Sequence, residues 1–96
     1  GNVSDVCSVY PSGEKSRAFG WEVFTADGPD FESLDAAFSA ARQVVGKPCV
    51  IAQKSVKGKG VSFMENQAGW HGKAPNQQQY EQAMEELRAA AAELEV

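Results

Sequence analysis

"WEVFTADGPDFESLDAAFSAARQVVGKPCVIAQ", residues 21–53, carries the architecture of this chain. Its first six residues, "WEVFTA", are aromatic and β-branched and predict a strand over 21–26. "DGPD", 27–30, is turn chemistry, and Asp30 suits a helix N-cap. Apolar residues then fall at Phe31, Leu34, Phe38, Ala41 and Val45, which is one face of an α-helix. Gly46 suits the left-handed position past the helix end, with Pro48 two residues on. "PCVIAQ" is a short, nearly continuous apolar run, the pattern of a strand buried on both faces of a parallel sheet. Strand, helix and strand at these lengths predict a βαβ unit with a right-handed crossover.

On the N-terminal side, residues 1–11 show no period. Ser12 is predicted to cap a short helix, "GEKSRAF", closed by Gly20. On the C-terminal side, "KGKGVSFMENQAGWHG", 57–72, follows neither a helical nor a strand pattern. It belongs to an irregular segment, about 55–75, expected to be the most mobile internal part. "APNQQQYEQAMEELRAAAAELE" then predicts a long helix. Asn76 is its cap, with Gln79 at the reciprocal capping position. Tyr80, Ala83, Met84, Leu87, Ala91 and Leu94 line one face of it. Two parallel strands make a thin sheet whose faces and edges want cover. The pattern therefore predicts part of a larger doubly wound α/β domain, or a protomer that completes its sheet with a partner.

Composition sets the bounds. Ninety-six residues are one small domain, 1–96, with an apolar fraction of 43%. A net charge of −4 argues against non-specific nucleic-acid binding, which needs a basic footprint. No run of eighteen apolar residues is present, so no membrane partner is expected. "GNVSDVCSVYPSG" lacks the features of a signal peptide. Cys7 and Cys49 stand far apart without metal spacing, which predicts two free thiols in a reducing cytoplasm, with a disulfide as the alternative.

The irregular segment holds the candidate chemistry. Loops longer than about 12–15 residues in compact domains are usually functional or disordered; Val61, Phe63, Met64 and Trp70 give this one enough apolar surface to pack. Lys57 and Lys59 alternate with Gly58 and Gly60. Glycine lets an anion approach peptide N–H groups, and a lysine ammonium supplies the charge. A phosphate or diphosphate fits; a glycine turn with two solvated lysines is the alternative. His71, the only histidine, lies between Trp70 and Gly72. Imidazole can donate to an oxyanion or move a proton near neutrality. A structural histidine satisfied by a backbone carbonyl is the alternative. Glu65 and Asn66 can tie the loop by hydrogen bonds, although Glu65 reads more simply as a surface carboxylate. Asp27 and Asp30 are explained by turn and cap duties. One histidine cannot build a zinc site by itself.

Taken together these motifs resemble one family. "KGKGVSFMEN", a short spacer and "WHGKAPN" resemble transketolase, in the C-terminal part of its N-terminal thiamine-diphosphate-binding (PP) domain. "RAFGWEVFTADGPDFESLDAAFSAA" and "GKPCVIAQKSVKGKG" resemble the preceding passages in the same order, and "YEQAMEEL" resembles the helix that follows. The resemblance spans roughly residues 17–88. It implies a transferase of pentose phosphate metabolism that moves a two-carbon ketol unit between sugar phosphates. It also implies thiamine diphosphate and Mg2+ as cofactors, held at a dimer interface. By the resemblance, Lys57 matches a lysine near the cofactor diphosphate, and His71 matches the histidine that faces cofactor and substrate. The family's "GDG" metal motif has no counterpart in these residues, nor does the second domain that activates the cofactor. Pro29 stands where the family usually has histidine, and Ser16 where an aromatic residue is common.

Three functions follow as expectations. The first is a transketolase fragment, not catalytic and not binding cofactor alone. Another is one piece of a split enzyme completed by other transketolase chains. The third is a stand-alone binding or self-association module, a homo-oligomer built on the closing helix.

Overall fold

The computed structural model describes residues 2–95. The chain divides between Ser55 and Val56 into two compact units, each described in turn.

In the first unit a short helix α1 (Val3–Val6) and helix α2 (Ser12–Ala18) precede strand β1 (Glu22–Asp27). Helix α3 (Phe31–Arg42) then leads to strand β2 (Cys49–Lys54). The two strands pair in parallel, from Glu22 opposite Cys49 to Asp27 opposite Lys54. The predicted strand–helix–strand order is therefore present as an α/β unit, a partial doubly wound arrangement with helices flanking a two-stranded parallel sheet.

Alternation along the strands assigns the faces. A Cβ built on Gly13 of α2 would lie 3.6 Å from Val23 Cγ1, so α2 covers the Val23 face of the sheet. The face of Phe24 and Ala26 continues through Ile51 and Gln53 on β2. Leu34 and Phe38 of α3 lie along it with Cys49 and Ile51, flanking an open groove of ≈ 530 Å³. The buried residues of this unit are Val23, Ala26 and Ala37. Each is small or medium in size, and the large apolar side chains lie outside this core. Phe19 is 84% and Phe31 85% exposed. The run Cys49–Ala52 is half-buried rather than buried on both faces as expected.

Local chemistry explains the boundaries. Asp30 Oδ1 accepts from the Glu32 N–H at 2.9 Å and the Ser33 N–H at 3.3 Å, so it caps α3 as predicted. Helix α3 ends at Arg42, a turn earlier than the apolar stripe suggested, and Val45 is exposed. Two β-branched residues, Val44 and Val45, follow there, and such side chains lose rotamer freedom in a helix. Ser12 is not a cap. It is the first residue of α2, Pro11 holds the cap position, and no side chain caps that end. At the β1–α3 turn the Gly28 N–H donates to the Lys54 carbonyl at 2.7 Å. A Cβ on Gly28 would meet that oxygen at 2.7 Å, so the turn closes on the end of β2 only with glycine there. Both cysteines are free.

In the second unit a loop from Val56 leads through a 3₁₀ turn (Ala68–Gly72) to helix α4 (Gln77–Leu94). Asn76 and Gln79 form the predicted capping box. The Gln79 N–H donates to Asn76 Oδ1 at 2.8 Å, and the Asn76 N–H donates to Gln79 Oε1 at 2.9 Å. Asn76→Ala removes one of these acceptors and is expected to cost about 1 kcal/mol. Equilibrium urea unfolding measures it, and an unchanged midpoint and slope would show that the box contributes nothing. Val61 and Ala83 are the buried residues of this unit. The predicted stripe of α4 is only partly covered: Met84 is half-buried, whereas Leu87 and Leu94 are exposed. No helix is long and apolar enough, among the described residues, to cross a membrane.

Candidate functional site

The loop 57–72 closes on itself. At its base the Asn66 N–H donates to the Lys57 carbonyl at 2.9 Å. Asn66 has a φ of 57°, in the left-handed region that asparagine tolerates better than most residues. Within the loop, the Val61 N–H donates to the Gly58 carbonyl at 3.3 Å and the Met64 N–H to the Val61 carbonyl at 2.9 Å. Glu65 Oε1 accepts from the Gly60 N–H at 3.1 Å. Glu65 is thus a half-buried loop tie and not the simple surface carboxylate expected for it. Gly58 has a φ of 75°, and a Cβ there would sit 2.5 Å from the Met64 carbonyl oxygen. Only glycine permits both that backbone and that approach.

Trp70 ties the second arm of the loop to the first. Its indole N–H donates to the Phe63 carbonyl at 3.2 Å, and its ring meets the Phe63 ring at 5.4 Å in a tilted arrangement. Such an edge-inclined geometry is favoured by the ring quadrupoles. Lys73 Nζ lies 4.8 Å from the centre of the Trp70 ring, a cation over the negative face of an aromatic.

These ties bring Lys57 and His71 together. Lys57 Nζ is 3.2 Å from His71 Nδ1, although fourteen positions separate the residues. With Lys57 as the ammonium donor, His71 Nδ1 is the acceptor, which corresponds to the ring tautomer that carries its proton on Nε2. Both side chains are exposed. His71 is therefore held by a lysine and not by the backbone carbonyl of the structural alternative. Lys57 and His71 Nε2–H form a pair of donors in a chain of net charge −4. Donors of this kind suit an anionic oxygen.

Glu86, on α4, was not legible as part of this region. Its Oε2 accepts from the Ser62 N–H and its Oε1 from the Ser62 hydroxyl, both at 2.6 Å. The Ser62 hydroxyl first, and its N–H second, lower the Glu86 pKa, against the opposing effect of burial. A lowered folded value stabilises the fold above the ordinary glutamate range, and that contribution is lost as pH falls through the lowered value. A glutamate on a polar helix face, twenty-four positions from its partner, leaves no sequence signal.

A family profile described as "Transketolase, thiamine diphosphate binding domain" matches residues 4–94. The chain belongs to this family of thiamine-diphosphate-binding transketolase domains. It is 34% identical over 95 residues to an apulose-4-phosphate transketolase subunit of Phocaeicola vulgatus, covering 99% of this chain and 34% of that subunit. It is 32% identical over 92 residues to the 6-deoxy-6-sulfo-D-fructose transketolase subunit SqwG of a Clostridium species, covering 96% of this chain and 34% of that subunit. The human transketolase-like protein 2 is 46% identical over 57 residues, which cover 59% of this chain and 9% of that protein. The chain thus spans about a third of the length of the two subunits.

Proposed function

We propose that residues 1–96 are one part of a single thiamine-diphosphate-binding transketolase domain, and that they build one wall of its cofactor cleft. In this reading Lys57 contacts the cofactor diphosphate, and His71 presents its Nε2–H to cofactor and substrate oxygens. The observation that carries it is the Lys57 Nζ to His71 Nδ1 contact at 3.2 Å, on a loop otherwise closed by its own hydrogen bonds. When bound, thiamine diphosphate supplies the carbanion chemistry for two-carbon ketol transfer between sugar phosphates. The chain's own residues hold anionic oxygens and keep a proton at Nε2.

A divalent cation is a different matter. The described residues contain no group of three His, Cys, Asp or Glu side chains that could seat one. Mg2+ ligands therefore come from elsewhere in this reading. Lysine charge alone leaves a diphosphate under-neutralised, and in this reading catalysis and tight cofactor binding need complementing polypeptide. The open edges of the two-stranded sheet and the exposed Phe19 and Phe31 support a requirement for complementing polypeptide. The relatives named as subunits support complementing chains in the same way. The cytoplasm, where free thiols persist, is the compartment that suits Cys7 and Cys49.

Titration calorimetry with thiamine diphosphate and magnesium tests the reading. The chain alone is expected to give no saturable heat at millimolar ligand, and binding is expected to appear once a complementing transketolase chain is added. Saturation by the isolated chain at micromolar concentrations would replace the partial-domain reading with an autonomous cofactor binder.

A further inference from the structure

The loop has a joint, and it is Ser62. On one side Val61 is bonded to Gly58, next to Lys57. On the other, the Phe63 carbonyl receives the Trp70 indole, next to His71. The two arms that deliver Lys57 and His71 therefore meet at the residue between Val61 and Phe63. That residue is gripped twice by one carboxylate, through its N–H and its hydroxyl, each at 2.6 Å. The carboxylate is itself steadied by Gln82 Nε2, which donates to Glu86 Oε1 at 3.2 Å from one turn earlier on α4. Helix α4 is eighteen residues long and closed at its start by the capping box, so the grip is anchored on a rigid element.

We propose that Glu86 is a positioning residue: by holding Ser62 against α4 it sets the spacing of the two loop arms and so keeps the Lys57 ammonium on His71 Nδ1. What the pair is for rests on the function proposed above; the positioning itself does not. Among the described residues Glu86 hydrogen-bonds to Ser62 and Gln82, not to Lys57 or His71, so its proposed effect on the pair passes through the Ser62 joint. A glutamine can replace much of the grip, because its oxygen accepts from the Ser62 N–H and its amide donates to the hydroxyl. Alanine can replace none of it.

The test uses the full chain without cofactor. Native-state amide exchange reads the joint and the loop base at Ser62 and Asn66. The 15N shifts of the His71 ring read which nitrogen accepts from Lys57. Glu86→Ala is expected to speed exchange at both amides about tenfold, the scale for losing a charge-assisted hydrogen bond. It is also expected to move the Nδ1 resonance away from its accepting position. Glu86→Gln is expected to restore most of both signals, and Glu85→Ala to leave them unchanged. Unaltered exchange and unaltered His71 shifts in Glu86→Ala would overturn the proposal. If that variant loses its helical circular dichroism, Ser62→Ala, which removes only the hydroxyl donor, takes its place. It is expected to speed exchange about threefold and shift His71 in the same direction, and no change overturns the proposal equally. Failure of the calorimetric test would bear on cofactor binding alone, since none of these readouts uses a cofactor.

Discussion

Gly58→Ala is expected to be the most damaging small substitution in the second unit. Its φ of 75° costs an alanine about 1–3 kcal/mol, and its Cβ would sit 2.5 Å from the Met64 carbonyl oxygen. Backbone, not a flexible side-chain end, is what it strikes, so relief requires the loop to open. Opening separates the arms bearing Lys57 and His71. Denaturant unfolding should show the loss of stability, and amide exchange should show Asn66 released from the Lys57 carbonyl. Gly69 provides the control, because a Cβ there meets nothing within 4 Å. Gly69→Ala should lie within about 0.5 kcal/mol of the parent. Equal effects at the two glycines would mean that the loop does not depend on the left-handed turn.

His71→Ala is expected to give the largest functional loss, in a complex of this chain with complementing transketolase chains. Removing a positioned proton donor typically costs about 10²–10⁴-fold in rate. Because Nδ1 is occupied by Lys57, the lost group is the Nε2 donor, and the loss should fall on kcat more than on KM. Lys57→Ala should differ in kind. It removes a charge from the proposed diphosphate contact and should weaken apparent thiamine diphosphate affinity about tenfold or more. Steady-state kinetics at varied cofactor concentration separates the two patterns. A His71→Ala rate within threefold of the parent would remove His71 from the chemistry.

Both predictions depend on a loop whose folding was only partly visible in its residues. "KGKG" announced glycine geometry and positive charge, and "WHG" announced a histidine beside an aromatic. Neither revealed that the two would touch. The contact needs Asn66 in a left-handed turn, Glu65 on the Gly60 amide and the Trp70 indole on the Phe63 carbonyl. Each tie joins residues several positions apart in a segment without a repeating period, so no pattern rule applies. The Ser62–Glu86 grip is less visible still, since its two ends lie in different elements.

Elements whose stabilising groups lie within a few residues of one another were legible. The Asp30 cap, the Asn76–Gln79 box and the turn at "DGPD" are local chemistry, and they placed α3 and α4 correctly at their starts. Residue type placed both strands, and their order made a parallel pair the natural outcome. Packing governed the rest. It left Phe31 and Leu94 in solvent, buried Ala37 outside the predicted stripe of α3, and buried only Ala83 of the predicted stripe of α4. Side-chain period identifies a face but not how much of that face finds a partner. Burial and the meeting of Lys57 with His71 arise from contacts between distant residues, which exist only once the chain has folded.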